Sequence, residues 1–141
     1  MGGFKKYNPQ GGFSEYLYRE DGAPISIDGM TVKIITGRDD YTHHTALPAY
    51  ANTSVAYAKR SDSGDHAVEQ LRIYVNRKAA IDFDWNHAHM QCKKGVVHVH
   101  IAPQEGPLHS RPEQVRYMNN SEMARYGKII KALNPKAKFR P

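Results

Sequence analysis

Between residues 25 and 102 apolar and polar residues alternate in short runs, and after residue 118 the apolar spacing lengthens to a helical period. Ile25-Ser26-Ile27, the turn pair Asp28-Gly29 and Thr31–Thr36 predict a β-hairpin. Thr53–Arg60 reads as a further strand. Glu69–Val75, a turn at Asn76-Arg77-Lys78, Ala80–His89, a turn at Gln91–Gly95 and Val96–Ala102 predict a three-strand antiparallel meander across about residues 69–102. Phe13–Arg19 reads as a strand or a short helix. Residues 1–12, rich in glycine and basic, read as a loose arm, and 13–141 as a single α+β domain. Gly37–Asn52, Ser61–Asp65 and Pro103–Pro112 read as loops.

Asn119-Asn120-Ser121-Glu122 has the form of a helix start, a capping amide or hydroxyl followed by a carboxylate. Met123, Tyr126, Ile130 and Leu133 then fall on one helical face, and Asn134-Pro135 ends the run. Lys131 suits the negative end of the helix dipole. Pro112–Met118 reads as a short preceding helix. The expected fold is α+β: an antiparallel sheet with the C-terminal helix packed on one face.

Register decides which side chains the sheet hides. Pairing Ile73 with Ile81 gathers Leu71, Ile73, Val75, Ile81, Phe83 and Trp85 on one face. Arg72, Tyr74, Asp82, Asp84 and Asn86 then share the other face. If Val97, Val99 and Ile101 join the apolar face, His98 and His100 emerge among those polar residues, and His87 and His89 continue the Trp85 face toward the sheet edge. A one-residue slip would instead set His87 opposite His98 and gather the histidines, as a metal site requires. That slip exposes two valines and an isoleucine, a cost of several kcal/mol at about 25 cal/mol per Å². The first register is preferred.

The four histidines, in two His-x-His pairs, are the strongest chemical signal. Imidazole transfers protons near neutral pH and is the commonest metal ligand. With Asp84 to orient an imidazole, His98 and His100 are the candidate acid–base pair, and Arg72 or Arg111 the candidate cation for phosphate. Tyr74, Asn86, His109 and Tyr117 are candidate substrate contacts. Asp39-Asp40-Tyr41-Thr42-His43-His44 packs acids and imidazoles into one loop. The same residue types also serve as ordinary solvated surface, and Tyr126 fits the core stripe of the helix.

Length and composition bound the rest. The chain has 141 residues, 40% hydrophobic, enough for one core, and a net charge of +6. That surplus favours polyanions, nucleic acid first, although charge also serves solubility. The one cysteine, Cys92, excludes an internal disulfide and a CxxC-type zinc site. Lysines beside it favour a thiolate, against the plainer reading of an incidental loop thiol. No apolar run approaches the roughly 18 residues of a membrane helix, and no leader is visible, so a cytoplasmic location is expected. Phosphate loops, GxGxxG, HExxH and Gly-x-Ser-x-Gly are all missing, which argues against nucleotide triphosphatases, dehydrogenases, zincins and α/β-hydrolases.

Ala80–His89 with its Ile81-Asp82-Phe83-Asp84 core, Val97-His98-Val99-His100-Ile101, and Ser121-Glu122 with Tyr126-Gly127-Lys128 resemble small proteins of phages and mobile elements, over about residues 70–130. The chain is also similar to RelE/barnase-like ribonuclease toxin domains. The second resemblance implies metal-free RNA cleavage by histidines on a sheet face, and an inhibitor or immunity protein as partner. Three readings follow. The first is a cofactor-free ribonuclease using His98, His100, Asp84 and an arginine. The second is a non-catalytic protein that binds nucleic acid or protein through the same face. The third is a hydrolase with a divalent metal on His87, His89, His98 and His100.

Overall fold

Strands rich in Val, Ile, Tyr and Thr need partners for their backbone groups and a cover for their apolar face. In the computed structural model, described for residues 5–8, 12–15, 18–37, 47–61, 64–88, 92–102 and 114–140, they find both in one broad sheet. The strands are β1 (Lys5–Asn8), β2 (Gly12–Glu15), β3 (Tyr18–Glu20), β4 (Ile25–Ile27), β5 (Met30–Gly37), β6 (Val55–Arg60), β7 (Val68–Val75), β8 (Lys78–Asp84), β9 (His98–Ile101) and β10 (Gln114–Tyr117). Helix α1 (Asn120–Leu133) follows.

β1 and β2 pair antiparallel with each other, apart from the main sheet. The main sheet runs β10-β9-β8-β7-β6-β5-β3, and β4 also pairs β5. The predicted 25–36 hairpin is present, turning through Asp28 and Gly29, both at positive φ. The meander is the centre of a sheet much wider than three strands. β10 occupies residues expected to form a short helix; pairing with β9 satisfies its backbone instead.

One pairing is parallel: β5 with β6. Parallel neighbours need a long crossover, and residues 38–54 link the two strands. Leu47–Tyr50, at the end of that crossover, lie against β7 and β8: Tyr50 bridges Lys78, and Ala79 N donates to Ala49 O.

The expected register holds in β7–β9: Ile73 faces Ile81, Phe83 faces Val99 and Asp84 faces His98. Leu71, Ile73, Phe83, Trp85, Val97 and Val99 pack with Met118, Tyr126, Ile129 and Ile130 beneath α1. Val75 departs from the expected core side and is 43% exposed, because a bulge after Ile73 resets the pairing at the strand end. α1 starts with a full capping box: Glu122 N donates to Asn119 Oδ1, and Asn119 N donates to Glu122 Oε1. The chain ends in a tail whose Lys138 bridges Val96. Among the described residues, no helix is long and apolar enough to cross a membrane.

Candidate metal centre

The second face of the sheet is polar in sequence but buried in the fold. Arg72, Asp84, His98 and His100 are 7, 7, 0 and 9% exposed. The crossover accounts for part of this cover. Arg72 Nη1 donates to Leu47 O (3.2 Å) and Pro48 O (3.3 Å), and Tyr74 Oη donates to Pro48 O (2.6 Å).

Arg72 also grips Asp82 with both arms of its fork, Nε to Oδ1 at 2.6 Å and Nη2 to Oδ2 at 2.7 Å. Burial opposes the guanidinium charge, but Asp82 outweighs it, with help from Tyr74 and Asp84, and the Arg72 pKa rises. Arg72 is thus held in a buried ion pair beside the cluster. Tyr74 is 1% exposed and packs edge-on to Tyr57 (6.0 Å, 78°) in a small apolar group.

Asp84 and His98 are direct cross-strand partners, as are Asp82 and His100. Two residues along a strand return to the same face, so His98 and His100 stand side by side, ring centroids 5.1 Å apart. His100 Nε2 lies 3.1 Å from Asp84 Oδ2.

His87 does not continue the Trp85 face, because β8 stops at Asp84 and the period-two rule stops with it. The chain bends at Asn86-His87, and several bonds pin the bend. Trp85 N donates to Glu69 O (3.2 Å), Trp85 Nε1 to Val68 O (3.0 Å) and Gly95 N to Trp85 O (2.7 Å). Asn86 Nδ2 donates to Glu69 Oε2 at 2.8 Å, and Lys59 Nζ holds Glu69 Oε1 at 2.6 Å. The bend carries His87 back over β9, where its ring meets His98 edge-on at 5.0 Å and 86°.

The outcome is a compact donor set. One ligand atom from each of Asp84, His87, His98 and His100 lies within 4.8 Å of the other three. Asp84 and His98 are buried, His100 is nearly so and His87 is exposed. Asp84 Oδ1 is buried and accepts no hydrogen bond from a described residue. His98 Nδ1 lies 3.4 Å from Val96 O, and a proton there leaves the lone pair on Nε2. Burial pushes the His98 pKa down; Asp84 and Val96 O pull it up, and His100 and His87 add to the downward push. The net shift favours neutral imidazole, the form that binds metal.

The remaining candidates are dispersed. Asn86 is exposed and serves the bend. Tyr117 faces His98 across β10–β9, and its hydroxyl accepts from Lys93 N at 2.9 Å. Cys92 is buried, which raises its pKa and disfavours a reactive thiolate. His89, His109, Arg111, Asp39, Asp40, His43 and His44 lie outside the described residues. Sequence reasoning missed the bend that recruits His87. A turn-forming Asn86 directly after the apolar alternation was the signal for it.

No family model matches the chain, and neither a curated protein nor a solved structure matches it.

Proposed function

We propose that this protein is a divalent-metal-dependent hydrolase, with Asp84, His87, His98 and His100 holding the cation and phosphodiesters as substrates. The observation that carries the reading is the convergence of three imidazoles and one carboxylate within 4.8 Å. Such a nitrogen-and-oxygen set suits zinc, iron, nickel or manganese better than magnesium or calcium, which favour oxygen ligands. The net charge of +6 favours an anionic substrate.

A cation held there supplies Lewis acidity and lowers the pKa of water toward neutrality. The chain's own residues supply the frame. Asp84 and His98 sit on rigid central strands, while His87 reaches in from the solvent side. Arg72 fixes Asp82, the cross-strand neighbour of His100, so the floor of the site is rigid. Hydrolysis adds the water oxygen to phosphorus, breaks one P–O ester bond and passes the water proton to the leaving oxygen. No oxidant is needed.

The cofactor-free ribonuclease is the competing reading, and the 3.1 Å His100–Asp84 pair favours it. The complete burial of His98 weighs against it, since an acid–base imidazole must reach its substrate. One experiment separates the readings. Untagged protein is assayed for bound metal, then for cleavage of bis(p-nitrophenyl) phosphate and RNA before and after chelation. Expected are one cation per chain, activity lost on chelation and recovered with metal, and both lost in His98→Ala. RNA cleavage unaffected by chelation would establish the cofactor-free reading instead. Absence of both metal and turnover would leave a binding protein.

A further inference from the structure

The positive charge of this chain is unevenly placed. Residues 92–141 hold ten Lys/Arg against three Asp/Glu, a net +7, whereas residues 1–91 hold ten against eleven, a net −1. Eight of those ten cations lie on α1, the tail and the turn before β9. On α1, Arg125, Lys128 and Lys131 are exposed at three-residue spacing, which puts them on one side of the helix. In the tail, exposed Lys136, Lys138 and Arg140 alternate with buried Ala137 and half-buried Phe139. The tail is thus an extended segment with a cationic edge.

The two rows are fastened together. Lys131 Nζ donates to Pro135 O at 3.2 Å and to Ala137 O, and Arg140 donates to Asn120 Oδ1. Phe139 lies against Gly127, with ring carbons 3.4 and 3.5 Å from where a Cβ on Gly127 would stand. The tail also pairs with the turn before β9: Val97 N donates to Lys138 O at 2.7 Å and Lys138 N to Gly95 O at 3.1 Å. That turn exposes Lys93 and Lys94. Gly95 N bonds Trp85 O, two residues before His87, so the band of charge ends beside the segment that delivers the exposed histidine.

None of these eight cations is ion-paired with a described carboxylate; Glu122, close by, is taken by Arg116 at 2.7 and 2.8 Å. Like charges on segments fastened together repel, and such a fold gains when a polyanion neutralises them. We infer that α1, the tail and the Lys93–Lys94 turn form a nucleic-acid-binding surface that leads the phosphate backbone to the histidine cluster. It names the polymer for the hydrolase reading, and rests on that reading only for what happens at the cluster.

The test is fluorescence anisotropy with full-length protein in EDTA, so that binding is read without turnover. The probes are a 20-nucleotide single-stranded RNA, the same DNA strand and its duplex, from about 50 to 300 mM KCl. Counterion release predicts log–log salt dependence, with a slope falling by about 0.7 per cation removed on a single strand. Lys136→Gln/Lys138→Gln and Lys93→Gln/Lys94→Gln should each flatten the slope by about 1.4. Lys33→Gln/Arg77→Gln, equal in charge but on the other part of the chain, should leave it unchanged. Equal effects from all three pairs would overturn the inference, as would binding to phosphatidylserine vesicles but to no nucleic acid. Track binding without metal uptake removes the hydrolase alone, and metal uptake without track binding removes the inference alone.

Discussion

Arg72 stands between two roles, a cation for phosphate and a strut for the sheet, and its stability effect separates them. Arg72→Met deletes both bonds to Asp82 and both bonds to the crossover carbonyls of Leu47 and Pro48. The side chains of the pair are only 8 and 14% exposed, so the abandoned Asp82 cannot recover full hydration. Breaking a buried pair from one side costs about 3–5 kcal/mol, a large part of the roughly 5–15 kcal/mol that holds a domain together. Urea unfolding is read through Trp85, the single tryptophan, 3% exposed beneath the helix. With a urea dependence of about 2 kcal/mol per molar, the midpoint should fall by roughly 2 M. Asp82→Leu should cost a similar amount. The double variant should be more stable than either single one, with a coupling of at least about 2 kcal/mol, because no charge is left stranded. An Arg72→Met midpoint within about 0.5 M of wild type refutes the strut argument. Hydrolysis lost in such a variant would assign Arg72 to the substrate.

Further outcomes are expected elsewhere. Asn119→Ala should remove half of the capping box and lower stability by about 1 kcal/mol in the same unfolding assay. The Arg116 guanidinium hydrogen-bonded to Glu122 holds that carboxyl below its ordinary pKa. Its contribution is therefore present above the ordinary carboxylate pKa of about 4.3 and is lost as the pH falls through the depressed value; Glu122→Gln should flatten that acid limb of the stability–pH curve. Gly127→Ala should raise stability by about 0.5–1 kcal/mol, since the new methyl meets Phe139 at ordinary contact distance in a helix interior; a loss of stability would show the contact to be too tight. At a metal concentration a hundredfold above Kd, the native state should gain about 2.7 kcal/mol in thermal unfolding, and Asp84→Asn should show little of that gain.

The register of the central strands was legible because the apolar residues of β7, β8 and β9 leave one arrangement that buries them together. That arrangement put His98 and His100 on the polar face with Asp82 and Asp84, and the Asn119–Glu122 pattern marked the helix start. What was not legible depended on distant chain. Alternation shows that a face is polar, not whether something covers it; the cover follows from the parallel β5–β6 pair, whose crossover returns through Leu47 and Pro48. The pairing of Gln114–Tyr117 with β9 likewise overrode a local preference. His87 was misplaced because the alternation was carried past Asp84 into a bend. By alternation alone a metal-like cluster required a register slip at the expense of two valines and an isoleucine, and the bend achieves it with Val97 and Val99 still buried.

The four candidate ligands all come from residues 84–100, two neighbouring strands and the link between them. Loop-closure entropy grows with length and is smallest for such near neighbours, so this site needs only the β8–β9 pair and the β7 residues that pin the bend. It does not wait for the distant edge strands or the crossover. A cation captured there would act as a clasp on the hairpin early in folding, and chelation during refolding would then slow the first step rather than the last.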